Sequence, residues 1–462
     1  MKKIGIITGT LISIFFLLFF VFTTPVNHTP YLETDYFNNS LRQIDSLKNL
    51  SSHVNDKLLA GFSKVSITPN FNQAEENYEE GKFRQIPLAG YGGRKGAPAT
   101  DVHDSIFVKA VALKVGKELI FLVSADLLII PPNMVDSVTK ILSEYGIRRS
   151  QLFFSATHTH SSLGAWGSGF VAKQFAGSEN KNLLKWLAIK TAEAVIFAQN
   201  DIKPARIASG NFNAGQYTRN RLVGKRGTKN NDFSFFLIEQ FAHKKAVIGS
   251  FSAHSTVLGD KNMEISADYP GYWARKMEKT AVDYALFFAG SMGSQSPVSK
   301  GEGFEKAKFM GESLADNLKH HLEKIEPEEQ ASFSHVSLEI PLPKFQIRLT
   351  TKRSLSELLS KKLMPYTYGA WLQAFRIGDM VWVTTPADFS GEYAVQLKNA
   401  LTVRGYNSNV TSFNGSYVGY IIPGKYFYLD EYEPKTMGWF GPYMGDYTMD
   451  LIRQVTEIVT TN

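Results

Sequence analysis

Leu152-Phe153-Phe154-Ser155-Ala156-Thr157-His158-Thr159-His160-Ser161 is an apolar run that breaks off into a pair of histidines. Bulky apolar residues in succession suit a strand buried on both faces, and such strands belong to sheets covered by helices. In an extended backbone residues i and i+2 point to the same side, so His158 and His160 reach one small volume at the mouth of the strand. Two imidazoles there suit a metal or a proton-transfer centre, and equally an ordinary polar strand end.

The same design recurs along the chain. Residues 118–123 run into Ser124-Ala125-Asp126, residues 246–251 into His254, and residues 284–288 into Gly290-Ser291-Met292-Gly293-Ser294. Residues 375–383 read as a hairpin about Gly378-Asp379 that leads to Pro386 and Asp388. Helical periodicity at 132–145, 182–199, 271–283, 304–325 and 389–404 lies between these runs. Alternating strand and helix predict an α/β fold, with mixed β-sheets flanked by helices and a site at the carboxyl ends of the strands. No Pro/Gly/Ser-rich linker or repeat interrupts 60–458, so one large catalytic domain is expected over 59–462.

His254 closes its strand as His158 and His160 close theirs, so three imidazoles can meet. Nitrogen donors suit Zn²⁺, and a catalytic zinc takes three protein ligands and a water. The chain has no cysteine, which excludes disulfides, thiol nucleophiles and thiolate ligands and leaves His, carboxylate, phenolate and water to hold a metal. With 44% apolar and 20% charged residues it reads as globular. Its net charge of +7 is scattered among 43 acidic residues without a long basic run. No nucleic-acid partner is implied, while attraction to an anionic membrane surface is compatible with this balance.

Lys2 and Lys3 precede about twenty uncharged, mostly apolar residues, long enough to cross a bilayer. Residues 1–23 are therefore expected to be one N-terminal membrane helix, either a signal anchor or a cleaved signal peptide, with the body exported. The absence of a small-x-small cleavage site before Pro25 favours the anchor. Residues 24–58 read as a polar spacer, with weak helical periodicity through Leu41, Ile44, Leu47 and Leu50.

Several short motifs then fall in a recognisable order: 61–69 (GFSKVSITP), Gly90-Tyr91-Gly92, His103-Asp104, Ser124-Ala125-Asp126-Leu127-Leu128 and Ala156-Thr157-His158-Thr159-His160-Ser161. In this order the chain resembles the neutral/alkaline (non-lysosomal) ceramidase family over nearly all of 60–462. The resemblance implies a zinc-dependent amidohydrolase that cleaves the N-acyl amide of ceramide or a related lipid. It implies His158 and His254 as zinc ligands, with Asp388 in Pro386-Ala387-Asp388-Phe389 and Tyr420 in Asn414-Gly415-Ser416-Tyr417-Val418-Gly419-Tyr420 completing the shell. His160 then acts at the scissile amide and Tyr432, in Tyr432-Glu433-Pro434, steadies the oxyanion. Arg221, or Arg219 if the match slips by two, orients the substrate.

Ser296 matches a serine regarded in some accounts as a nucleophile, and a turn-forming loop serine before Pro297 is an equal reading. Outside the resemblance Tyr417 reads as core and Asp126 as an orienting or capping residue. Departures from the family pattern concern Asp388, one methylene shorter than the usual Glu, together with Ser162-Leu163, Ala387 and Leu222. They leave room for hydrolysis of a different amide or ester, or for a catalytically degenerate metal- and lipid-binding protein.

Overall fold

The structure is a computed structural model that describes residues 2–71, 75–364 and 369–461, without the side chains of 2–6, 9, 12, 15 and 16. Among the described residues twelve strands form one sheet. They are β1 (Val54–Ser66), β2 (Phe107–Val115), β3 (Glu118–Ala125), β4 (Leu152–Ala156), β5 (Lys203–Asn213), β6 (Asp232–Gln240), β7 (Lys245–Phe251), β8 (Tyr284–Ala289), β9 (Gln330–Ile340), β10 (Ala370–Ile377), β11 (Met380–Thr384) and β12 (Asn407–Thr411). The helices are α1 (Lys2–Phe22), α2 (Asp35–Leu50), α3 (Pro132–Ser143), α4 (Gly169–Ala176), α5 (Lys181–Asn200), α6 (Asp268–Thr280), α7 (Gly303–Leu322), α8 (Glu357–Leu363), α9 (Gly391–Thr402) and α10 (Met444–Thr460).

β1 is the hub. It pairs antiparallel with β2 from Leu58 to Ser66, with β5 at Leu59 and Ala60, and with β9 from Val54 to Lys57. Three arms leave it: β2-β3-β4, β5-β6-β7-β8 and β9-β10-β11-β12. Pairing within the arms is antiparallel until the last pair of each, β3/β4, β7/β8 and β11/β12, which is parallel. A parallel pair needs a crossover, and α3, α6 and α9 supply one each. The expected strand–helix alternation therefore holds at the three arm ends, whereas the rest of the sheet is an antiparallel framework.

Strand alternation explains how the arms pack. Leu58, Ala60 and Phe62 of β1, Phe153 of β4, Phe236 and Ile238 of β6, Leu286 and Phe288 of β8, and Phe375 and Trp382 of the third arm meet in one interior cluster. The other faces are covered by helices: α3 and α5 over β2-β3-β4, α6 and α7 over β6-β7-β8, α9 and α10 over β9-β12. Phe153 and Phe154 lie on opposite faces and both are fully buried, each worth roughly 1.5–3 kcal/mol of apolar burial. The expected hairpin is present as β10 and β11, with Ile377 opposite Met380 across Gly378-Asp379. Gly378 takes φ +59° there, a conformation that glycine reaches without Cβ strain.

The polar segment expected to be a spacer packs on the body instead. Thr23–Pro25 pairs with Arg353–Leu355, and α2 lies against α10 through Ile44, 1% exposed, and a Ser40 to Tyr447 hydroxyl bond of 2.8 Å. The apolar stripe of Tyr36, Phe37, Ile44 and Leu47 is what docks it. Residues 2–22 are helical as expected, but among the described residues no helix is long and apolar enough to cross a membrane. Met1 and part of the α1 side chains lie outside the described residues, so the membrane reading of 1–23 rests on the sequence.

Candidate metal centre

The carboxyl ends of the three parallel pairs converge, β4 delivering His158 and His160, β7 delivering His254, and the segment after β11 delivering Asp388. His158 turns at φ +60°. Its ring stacks on Phe413 at 4.2 Å and its Nδ1–H donates to the Leu128 carbonyl at 2.7 Å. His254 Nδ1–H donates to the Gln295 carbonyl at 2.8 Å. A carbonyl at Nδ1 fixes the tautomer, which leaves both Nε2 lone pairs directed into the same space.

Asp388 reaches that space because the short strand Asp388–Phe389 pairs in parallel with Tyr420–Ile421, Asp388 beside Tyr420. One carboxylate oxygen accepts the Tyr417 hydroxyl at 2.7 Å. The other is buried without a donor, 3.5 Å from His158 Nε2 and 3.2 Å from His254 Nε2. The ligand atoms of His158, His254 and Asp388 all lie within 4.8 Å of one another, and the Tyr420 hydroxyl is 3.0 Å from His254 Nε2. The shortened carboxylate thus still reaches both imidazoles.

Burial controls the charges. It drives His158 down to about 3 against the opposing pull of Asp388, and holds His254 and His160 well below the usual histidine range. It also pushes the Asp388 carboxyl up, with His158 opposing. Two neutral imidazoles and a buried carboxylate oxygen lacking a donor make a site that a divalent cation satisfies, since burying a carboxylate without a partner is costly. The nitrogen and oxygen donors are those Zn²⁺ accepts, and the four residues the resemblance nominates fit such an ion.

His160 stands beside this group. Its Nε2 is 3.3 Å from His158 Nε2, its ring is 4.8 Å from that of Tyr91, and its Nδ1 is buried without a partner. A Cβ on Gly90 would come within 2.6 Å of the His160 Cβ, which explains the glycine. Arg94 directs its guanidinium at backbone carbonyls, among them that of His160 at 2.5 Å, so the His160 loop is pinned from behind.

Arg221, not Arg219, faces the cluster. Its Nε donates to Glu433 at 2.7 Å and its Nη2 to the Tyr420 hydroxyl at 2.8 Å. Arg219 lies two residues earlier and donates to the Ser296 hydroxyl at 3.1 Å. Ser296 pairs with Arg219 across a short two-stranded ribbon and does not line the pocket. Tyr432 is 45% exposed at the pocket mouth, its ring 6.0 Å from that of Tyr420. Partial burial and Asp388 push its hydroxyl up to about 12, so it remains a donor.

Three participants escape a sequence reading. Tyr417 holds Asp388, Glu433 clamps Arg221 and accepts Ser294 Oγ at 2.6 Å, and Phe413 carries the His158 ring. Tyr417 and Glu433 sit inside motifs already quoted, which is the one signal available for them. Asp126 does not join the cluster; it accepts from the Phe107 amide at 2.9 Å, the orienting role expected of it.

The cluster floors a pocket of about 120 Å³ whose walls include Ile129, Trp166, Val171, Phe175, Met437 and Trp439. The chain's fold superposes on the crystal structure of neutral ceramidase from Pseudomonas aeruginosa with a TM-score of 0.73 at 17% identity, covering 87% of this chain and 74% of that one. The chain has the neutral ceramidase fold. A second structure, a ceramidase complexed with C2, gives a TM-score of 0.73 at 16% identity over 87% of this chain and 75% of that one. No family model and no curated protein matches the sequence. At such identity the neutral ceramidase fold is what is shared, and the chemistry rests on the residues described above.

Proposed function

We propose that this chain is a zinc-dependent amidohydrolase that splits the N-acyl amide of ceramide, or of a related N-acyl lipid, into a fatty acid and an amine. The observation that carries the reading is the unsatisfied Asp388 oxygen between two oriented imidazoles, at the floor of an apolar pocket in a neutral ceramidase fold. His158, His254, Asp388 and Tyr420 would hold the ion. Bound Zn²⁺ supplies Lewis acidity toward a carbonyl oxygen and lowers the pKa of water.

The chain's own residues do the rest. The pocket walls take the acyl chain and exclude water from the amide. His160 is neutral, so it can accept a proton from the attacking water and pass it to the departing amine nitrogen. Tyr432 keeps its proton and offers it as a hydrogen bond to the developing oxyanion. Arg221, tied between Glu433 and the Tyr420 hydroxyl, fixes that side of the pocket. The lysines at positions 2 and 3, followed by the apolar run, support an exported protein that 1–23 anchors or is cleaved from, with the catalytic domain over 59–462.

The test is metal analysis of the purified chain together with fatty-acid release from a short fluorescent ceramide. One zinc per chain with release is expected. Zinc without hydrolysis of any N-acyl lipid would reduce the protein to a metal- and lipid-binding scaffold.

A further inference from the structure

One wall of the pocket is continuous with an exposed apolar rim that the chemistry leaves unused. α4 turns Val171 and Phe175 into the pocket and Phe170, 64% exposed, to the outside. α8 packs against α4, ends at the pocket-lining Met364, and exposes Leu358 at 73%. The end of α1 joins the same rim, because the Phe22 carbonyl accepts from the amide of Ser356, the N-cap of α8. There the Arg353 guanidinium lies over the rings of Phe19 and Phe20 at 4.9 and 5.6 Å and hydrogen-bonds Thr23. Residues 352–362 carry four basic side chains and one acidic, and Lys173 adds another basic group on α4.

Large apolar side chains in water, bordered by lysine and arginine and placed at the mouth of an apolar pocket, match the interface of an anionic bilayer: the apolar groups enter the acyl boundary and the cations meet the headgroups. We propose that the α4–α8 rim, together with the end of α1, docks on an anionic phospholipid bilayer and that the pocket opens toward it. The consequence that substrate passes from the bilayer into the pocket rests on the N-acyl lipid reading above; the docking itself does not.

The absence of cysteine allows single reporters. The full chain carrying Phe170→Cys, Leu358→Cys or Phe241→Cys is labelled with an environment-sensitive NBD fluorophore and mixed with phosphatidylcholine/phosphatidylglycerol vesicles. Phe241 is 51% exposed in the turn that opens β7, at the opposite end of that strand from His254, and serves as the control. A blue shift at 170 and 358 but not at 241 is expected, weakened in pure phosphatidylcholine and in high salt. No shift at 170 and 358, or equal shifts at all three, overturns the docking. Separately, Phe170→Asp/Leu358→Asp should lower turnover of vesicle-embedded N-acyl lipid about tenfold while leaving a water-dispersed short-chain substrate unaffected. Equal turnover in vesicles refutes delivery through the rim, and inactivity of the unaltered chain on both substrates refutes the hydrolase reading while the fluorescence result stands.

Discussion

Replacing Asp388 with Asn separates a metal ligand from a structural carboxylate, because the two roles predict opposite signs. Without metal, the Asp388 carboxylate is buried, one oxygen lacks a donor, and burial raises its pKa. An isosteric amide removes that penalty, and one oxygen can still accept the Tyr417 hydroxyl, so metal-free stability should stay the same or rise. With zinc, losing a charged ligand should weaken binding about 100-fold, or roughly 2.7 kcal/mol, at the top of the range seen even for outer-shell partners. At free zinc of about 1,000 times the unaltered protein's Kd, linkage stabilises that protein by about 4.1 kcal/mol and the variant by only about 1.4 kcal/mol. A chain of 462 residues has an unfolding entropy of roughly 1 kcal/mol/K. The zinc-induced rise in Tm should therefore be about 4 °C for the unaltered protein and about 1.5 °C for Asp388→Asn. The assay is thermal unfolding after chelation, with and without zinc added back. Equal zinc-induced rises in the two proteins would refute the assignment of Asp388 as a ligand.

His160→Ala should retain zinc and lose turnover by about 10²–10⁴-fold, the usual weight of a general acid–base group; loss of zinc by metal analysis would show that His160 is itself a ligand. Ser296→Ala should keep kcat within about twofold, since its hydroxyl partners Arg219 outside the pocket, and a collapse in kcat would restore the nucleophile reading. Glu118 accepts from His335 at 3.0 Å, and that bond first, against partial burial, holds its carboxyl at about 2. A depressed folded-state pKa contributes stability above the unfolded value and loses it as pH falls. His335→Ala should thus be less stable than the unaltered protein at neutral pH, with the gap in urea unfolding narrowing from pH 4.5 toward 2; a gap independent of pH would contradict the pairing.

What could be read from the chain was what is encoded locally. β4 and its histidines are visible because a doubly buried strand is a continuous apolar run that stops where the site begins. α3, α6 and α9 are visible because each crossover presents one apolar stripe. β1, β2, β5, β6, β9 and β12 were not read from the sequence: β1 and β9 take each other as partners from far apart in the chain, whereas β2 and β6 pair with their neighbours β3 and β7 across short turns. β5, with Lys203, Arg206 and Asn211, carries too many polar positions to declare itself. Antiparallel pairing of the arms onto β1 is likewise a long-range choice. In the site, His158, His254 and Asp388 were legible by motif, whereas Tyr417 has an identity that aromatic core residues share until its hydroxyl is seen on Asp388. The spacer reading of 24–58 failed for a related reason: the stripe that docks α2 is short, and its partner α10 lies some four hundred residues away.

The most direct test is to follow fatty-acid release from a short fluorescent ceramide by the purified full chain, first as isolated, then after chelation, then with zinc returned. The account predicts release, its loss with the metal, and its recovery at one zinc per chain. Undiminished hydrolysis by protein shown to be metal-free, or no hydrolysis of any N-acyl lipid by protein holding one zinc per chain, would contradict it.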